Sequence, residues 1–138
     1  MSLDRLQIKA LPAGEQWDEL SERVIGAAIE VHRQLGPGLT ESLYEAALCH
    51  EFDLRSIPYL RQVAVDVIYK GKTIGATRID LLVDDRLIVE LKACDSLTTV
   101  HRAQCITYLS VTGKSVALLI NFNVGVLKDG IKRVVLSS

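Results

Sequence analysis

Two apolar runs read as neighbouring strands, residues 73–83 and 87–93, and both carry charge where a central strand tolerates little. Asp80 interrupts Thr77-Arg78-Ile79-Asp80-Leu81-Leu82-Val83, and Glu90 and Lys92 interrupt Leu87-Ile88-Val89-Glu90-Leu91-Lys92. Buried charge without a partner is expensive, so a fold that keeps these strands central must compensate three charges locally. With Asp84-Asp85-Arg86 as a three-residue loop, Val83 pairs with Leu87, which puts Leu81 opposite Val89 and Asp80 opposite Glu90. Directly opposed residues have Cβ atoms roughly 4.5–5.5 Å apart, and like charges there are destabilising. Strand alternation places Lys92 on the face of Glu90, and the same register sets it opposite Arg78.

Two carboxylates beside an ammonium group suit phosphodiester hydrolysis assisted by Mg²⁺ or Mn²⁺. Hard oxygen ligands hold such an ion, which polarises the phosphate and activates a water, while Lys92 orients that water or stabilises developing charge. The competing reading is a structural ion-pair cluster, Asp80 with Arg78 and Glu90 with Lys92. The hairpin alone does not choose between them.

The remaining chain predicts how that hairpin is flanked. Residues 16–35 carry Leu20, Val24, Ala27, Val31 and Leu35 at helical spacing, and Gly36-Pro37-Gly38 stops the pattern. A second helix is expected from an N-cap at Thr40 to Leu54, with Leu43, Ala47 and Leu54 facing inward; Pro58 bars its continuation. Val63, Val65 and Val67 then alternate with polar or small residues up to a turn at Lys70-Gly71-Lys72. Residues 98–111 return to helical texture, and residues 115–122 and 131–136 read as two last strands. The order ααβββαββ describes an α/β domain, a mixed sheet flanked by helices. At 138 residues one domain is expected, residues 16–138, preceded by an N-terminal segment of residues 1–15.

Sixteen basic and seventeen acidic residues give a net charge of −1, so attraction to nucleic acid must come from a local patch rather than a global field. Cys49, Cys94 and Cys105 are odd in number and widely spaced, which argues against a disulfide framework or a paired-cysteine metal site. Apolar runs are too short to span a membrane, and the N-terminus lacks the apolar core of a signal peptide; a cytoplasmic location is expected.

Gly38-Leu39-Thr40-Glu41-Ser42-Leu43-Tyr44 resembles the GxxExxY signature, and Asp80 with Glu90-Leu91-Lys92 resembles the core of the PD-(D/E)XK nuclease superfamily. The order GxxExxY, Asp, ExK and then Gln104-Cys105-Ile106-Thr107-Tyr108 is jointly specific and covers most of the chain. The resemblance implies a restriction-endonuclease-like fold, with Asp80 and Glu90 as metal ligands, the Leu91 carbonyl as a third and Lys92 as the catalytic lysine. It gives Glu41 a part in metal or water binding, against an ordinary first-turn glutamate favoured by the helix dipole. Gln104 and Tyr108, spaced i, i+4, resemble a QxxxY element that supports the site or contacts substrate. For Tyr108 and Tyr44 the alternative is a core aromatic with a satisfied hydroxyl. His101, near the start of the helix, is expected to face solvent, and His32 and His50 are surface or packing residues.

The function implied is a Mg²⁺- or Mn²⁺-dependent nuclease acting on DNA through metal-activated water. The rival is a non-catalytic nucleic-acid-binding or regulatory module on the same scaffold, working with a partner protein. A third reading, a structural protein, predicts no metal affinity. A mean hydropathy of +0.23 points to apolar surface covered by a second copy or a partner.

Overall fold

The structure, a computed structural model, describes residues 18–136; the expectations for residues 1–15 and for the first residues of the opening helix lie outside that range. Helix α1 (Glu19–Leu35) starts at Asp18, whose carboxylate accepts the Ser21 N–H at 2.6 Å, and stops at Gly36, where φ is 65°. Helix α2 spans Glu41–Leu54. Strands β1 (Tyr59–Tyr69) and β2 (Lys72–Val83) form a long antiparallel ribbon closed by Lys70 and Gly71, both at positive φ as a two-residue hairpin turn requires. After β3 (Leu87–Lys92), helix α3 (Thr99–Thr112) crosses over to β4 (Val116–Asn121), and a 3-10 turn (Leu127–Gly130) leads into β5 (Ile131–Val135).

The sheet order is β1-β2-β3-β4-β5, and only the β3–β4 pairing is parallel. Parallel neighbours need a crossover connection, which α3 supplies. One face of the sheet packs on α1 and α2 through Val24, Tyr44, Leu48, Phe52, Leu81, Val83, Val89 and Leu91. The other packs on α3 through Cys105, Tyr108, Leu109, Ile79, Leu82, Ile88 and Leu119. This three-layer α/β arrangement agrees with the expected fold class and element order.

Two local expectations are corrected. Leu43 and Leu54 do not face inward: they are 52% and 67% exposed, whereas Tyr44, Glu45, Leu48, Cys49 and Phe52 are buried. The loop pinned by Tyr44 turns α2 so that the tyrosine faces the sheet, and a stripe one residue displaced is buried instead. Leu35 is likewise 43% exposed, because it ends the helix at the loop. Cys49 and Cys105 are buried free thiols, pushed up by burial to about 11 and about 12, and Cys94 is also free. Among the described residues no helix is long and apolar enough to cross a membrane.

Gly130 closes the last connection against β4. A Cβ there would lie 2.1 Å from the Asn121 carbonyl oxygen, a backbone atom that cannot rotate away. Gly130→Ala is therefore expected to lower stability by about 1–3 kcal/mol, read as a lower melting temperature; an unchanged value would mean the loop moves freely from β4.

Candidate active site

The β2–β3 ladder runs Val83↔Leu87, Leu82↔Ile88 and Leu81↔Val89, the expected register, and ends there. Where the next pair would form, the Leu91 N–H donates to Asp80 Oδ2 at 2.8 Å. A side-chain carboxylate thus takes the donor that a continuing ladder would use, and the two strands part. Asp80 and Glu90 meet through side chains at the mouth of this gap rather than as a ladder pair. The predicted pairing of Lys92 with Arg78 does not form: Arg78 pairs with Ala64 of β1, and its Nη1 donates to the Gln62 carbonyl at 3.2 Å.

The parting coincides with a reversal of faces. Leu81 and Val83 pack toward α1 and α2, but Ile79 packs toward α3, although unbroken alternation would put residues 79 and 81 on one side. On β1, Arg61 reaches Glu45 of α2, whereas Val63 and Val65 pack toward α3. Asp80 occupies the reversal on β2, and Gln62, with a left-handed φ of 52°, occupies it on β1.

Glu90 lies on the α3 side of β3, 2% exposed, and its Oε1 has no hydrogen-bond partner. Burial first, then hydrogen bonding to and repulsion by the Asp80 carboxylate, push the Glu90 carboxyl up to about 9; Lys92 pulls it down. Glu90 is protonated at neutral pH in the ion-free chain. Lys92, partly exposed on the same face, donates from Nζ to Gln104 Oε1 at 3.2 Å, so α3 holds the ammonium group beside the acids. Among the described residues no ion pair joins Asp80 to Arg78 or Glu90 to Lys92. The structural ion-pair cluster is not formed.

An orphaned buried carboxyl oxygen, a second carboxylate in contact and an ammonium outside ion-pair distance fit a hard divalent cation. Alternation along β3 adds a third oxygen: the Lys92 carbonyl accepts the Phe122 N–H at 2.9 Å toward β4, so the Leu91 carbonyl turns toward β2, past the last ladder pair. Among the described residues no three His, Cys, Asp or Glu side chains converge as a complete cage. Two carboxylates with one carbonyl would leave a bound divalent ion several positions for water.

Glu41, exposed in the first turn of α2, makes no hydrogen bond to Asp80, whose carboxylate is bonded by Gln62 and the Leu91 N–H, but both line a cleft of about 280 Å³ with Ser42, Glu45, Gln62 and Leu91. Tyr108 is buried, donates to the Arg78 carbonyl at 3.0 Å and lies 3.3 Å from Thr77 Oγ1, bracing β2 just before Asp80; burial raises its pKa. Tyr44 spends its hydroxyl on the loop rather than on the acids: it donates to the Gly36 carbonyl at 2.5 Å and accepts the Leu39 N–H at 3.1 Å, and its ring stacks on Phe122 at 4.5 Å. It anchors the loop that aims α2. His101 is a cap, its Nδ1 accepting the Thr98 N–H at 3.1 Å; His32 is buried with Nε2 on the Val124 carbonyl at 2.8 Å, and His50 is exposed.

Two residues that sequence reasoning missed belong to the cleft. Glu45 is 8% exposed and paired with Arg61 at 3.0 Å, and Gln62 Nε2 donates to Glu45 Oε1 at 2.9 Å. Glu45 was discoverable as the residue one turn after Glu41 on the same helical face. No pattern marks Gln62.

A family model described as the PD-(D/E)XK nuclease superfamily matches residues 18–134. No curated protein and no solved structure matched the chain. With nearly its whole length covered, and with Asp80, Glu90 and Lys92 gathered where two strands part, the chain belongs to the PD-(D/E)XK nuclease superfamily.

Proposed function

We propose that this protein is a Mg²⁺- or Mn²⁺-dependent phosphodiester hydrolase acting on DNA, with Asp80, Glu90 and the Leu91 carbonyl as the metal-binding set and Lys92 as its catalytic lysine. The superfamily consists generally of nucleases that use divalent metals, so nuclease chemistry is the coarse assignment; the substrate, the ion and the roles of residues are the finer one. The observation that carries it is Glu90 Oε1, buried and without a partner beside Asp80. Buried polar groups in folded proteins are almost always satisfied, and a cation in the gap would satisfy this one while taking the place of the proton that burial holds on Glu90.

A bound divalent ion would polarise the phosphate and lower the pKa of a water. The chain's own residues supply the rest. Lys92, steadied by Gln104, presents positive charge to a developing negative phosphate oxygen. Tyr108 holds β2 by its Arg78 carbonyl, which keeps Asp80 in place. Glu41, at the cleft rim, is positioned to orient water entering from the α2 side. The match over residues 18–134 supports taking residues 16–138 as one domain, and residues 1–15 are proposed as a separate N-terminal segment.

A net charge of −1 favours the second reading, a binding or regulatory module without catalysis, and cleavage assays on single- and double-stranded DNA separate the two. Metal binding is tested first. A ligand that binds only the folded state stabilises it, by about 2.7 kcal/mol at one hundred times its dissociation constant. Mn²⁺ is expected to raise the melting temperature by several degrees, and Asp80→Asn to abolish the rise. A wild-type chain indifferent to millimolar Mn²⁺ would remove the metal site.

A further inference from the structure

Gln62 is held in a backbone conformation that its side chain disfavours. A φ of 52° crowds Cβ against the carbonyl for any residue but glycine, and such outliers persist only where the surroundings over-determine them. Here they do. The flanking residues Arg61 and Val63 stay in register with Leu81 and Ile79, and Arg78 Nη1 donates to the Gln62 carbonyl at 3.2 Å.

The side chain is pinned between two acids. Gln62 Nε2 lies 2.9 Å from Glu45 Oε1 and 3.4 Å from Asp80 Oδ1. An amide nitrogen carries two protons, one for each carboxylate, and the reverse orientation would turn the amide oxygen on two anions. Arg61 fixes Glu45 in turn, with Nη2 at 3.0 Å and Nε at 3.2 Å. Because Asp80 Oδ2 is taken by the Leu91 N–H, the contact from Gln62 constrains the remaining oxygen.

We infer that Gln62 is a positioning residue: clamped by Glu45 and by its own left-handed backbone, it sets the rotation of the Asp80 carboxylate relative to Glu90, and so the affinity for a divalent cation. The inference rests on the metal-site reading above. A merely structural Gln62 would affect folding and leave ion affinity alone, whereas a positioning Gln62 does the reverse.

Gln62→Gly separates them. Glycine relieves the left-handed strain as the bond to Glu45 is lost, so the melting temperature of the ion-free chain is expected to change little. The Mn²⁺ dissociation constant, measured by electron paramagnetic resonance of free Mn²⁺, is expected to rise roughly 10- to 100-fold, the usual effect of removing a group that orients a ligand. Gln62→Asn tolerates the same backbone but is too short to span both acids; it is expected to weaken Mn²⁺ binding likewise, and serves should the glycine variant fail to fold. Wild-type affinity in either folded variant, with binding lost in Asp80→Asn, overturns the role of Gln62 and spares the metal site. No Mn²⁺ uptake by the wild-type chain overturns both.

Discussion

Lys92→Ala is expected to slow metal-dependent DNA cleavage by roughly 10²–10³-fold, the usual loss when one pre-aimed electrostatic donor is removed, while Mn²⁺ still raises the melting temperature. On the proposed mechanism Lys92 supplies charge to the reacting phosphate and no ligand to the ion, so the two readouts part. Its Nζ is held by a neutral partner, Gln104 Oε1 at 3.2 Å, among described residues that form no ion pair with it. The ammonium group is therefore free to answer charge that develops in a transition state rather than charge fixed in the ground state. Single-turnover cleavage of a DNA duplex and of its single strands, at saturating Mn²⁺, gives the measurement. Equal rates for wild type and variant would take Lys92 out of the chemistry, and no cleavage by the wild type would leave a binding module.

Glu90→Gln is expected to make the ion-free protein more stable and to abolish its response to Mn²⁺. The Glu90 carboxyl is raised from 4.5 to about 9, first by burial and then by Asp80. Between those values the folded chain keeps a proton that the unfolded chain has lost, so stability falls as pH rises through this window. At pH 7 the penalty is on the order of 3 kcal/mol, and glutamine of similar shape does not incur it. The melting temperature of Glu90→Gln should exceed that of wild type by several degrees at pH 8 and by almost nothing at pH 5. A difference independent of pH would contradict the burial argument. By the same linkage, Mn²⁺ binding by wild type is expected to be stronger at pH 8 than at pH 6, because an ion held by Glu90 would have to displace its proton. A stability defect that Mn²⁺ repaired would mark a site built for binding rather than for folding.

How much of this was legible in the chain varies residue by residue, and for physical reasons. Val83 opposite Leu87 follows from a three-residue loop, and the observed ladder obeys it as far as Leu81↔Val89. Glu90 and Lys92 on one side of β3 follow from alternation, and both face α3. Gln104 came into view through i, i+4 spacing with Tyr108, and it reaches Lys92. Predictions failed where they extended a local rule past a point at which side chains compete with the backbone. Lys92 was set opposite Arg78 by assuming an unbroken ladder, but Asp80 Oδ2 captures the Leu91 N–H and ends it. Leu43 and Leu54 were set inward by spacing alone. Tyr44, tied to Gly36 and stacked on Phe122, turns the helix otherwise.

Sequence periodicity and charge placement, which are short-range properties, determined the order of elements, the hairpin register and the presence of three charged groups that an apolar sheet had to accommodate. Only the tertiary structure decided how they are accommodated. Gln62 and Asp80 lie 18 positions apart and Glu45 and Gln62 lie 17 apart, and their meeting depends on β1, β2 and α2 packing together. The reversal of faces at Asp80, the left-handed Gln62 and the buried, unpartnered oxygen of Glu90 arise from that packing, and a rule that reads neighbours along a chain has no access to them.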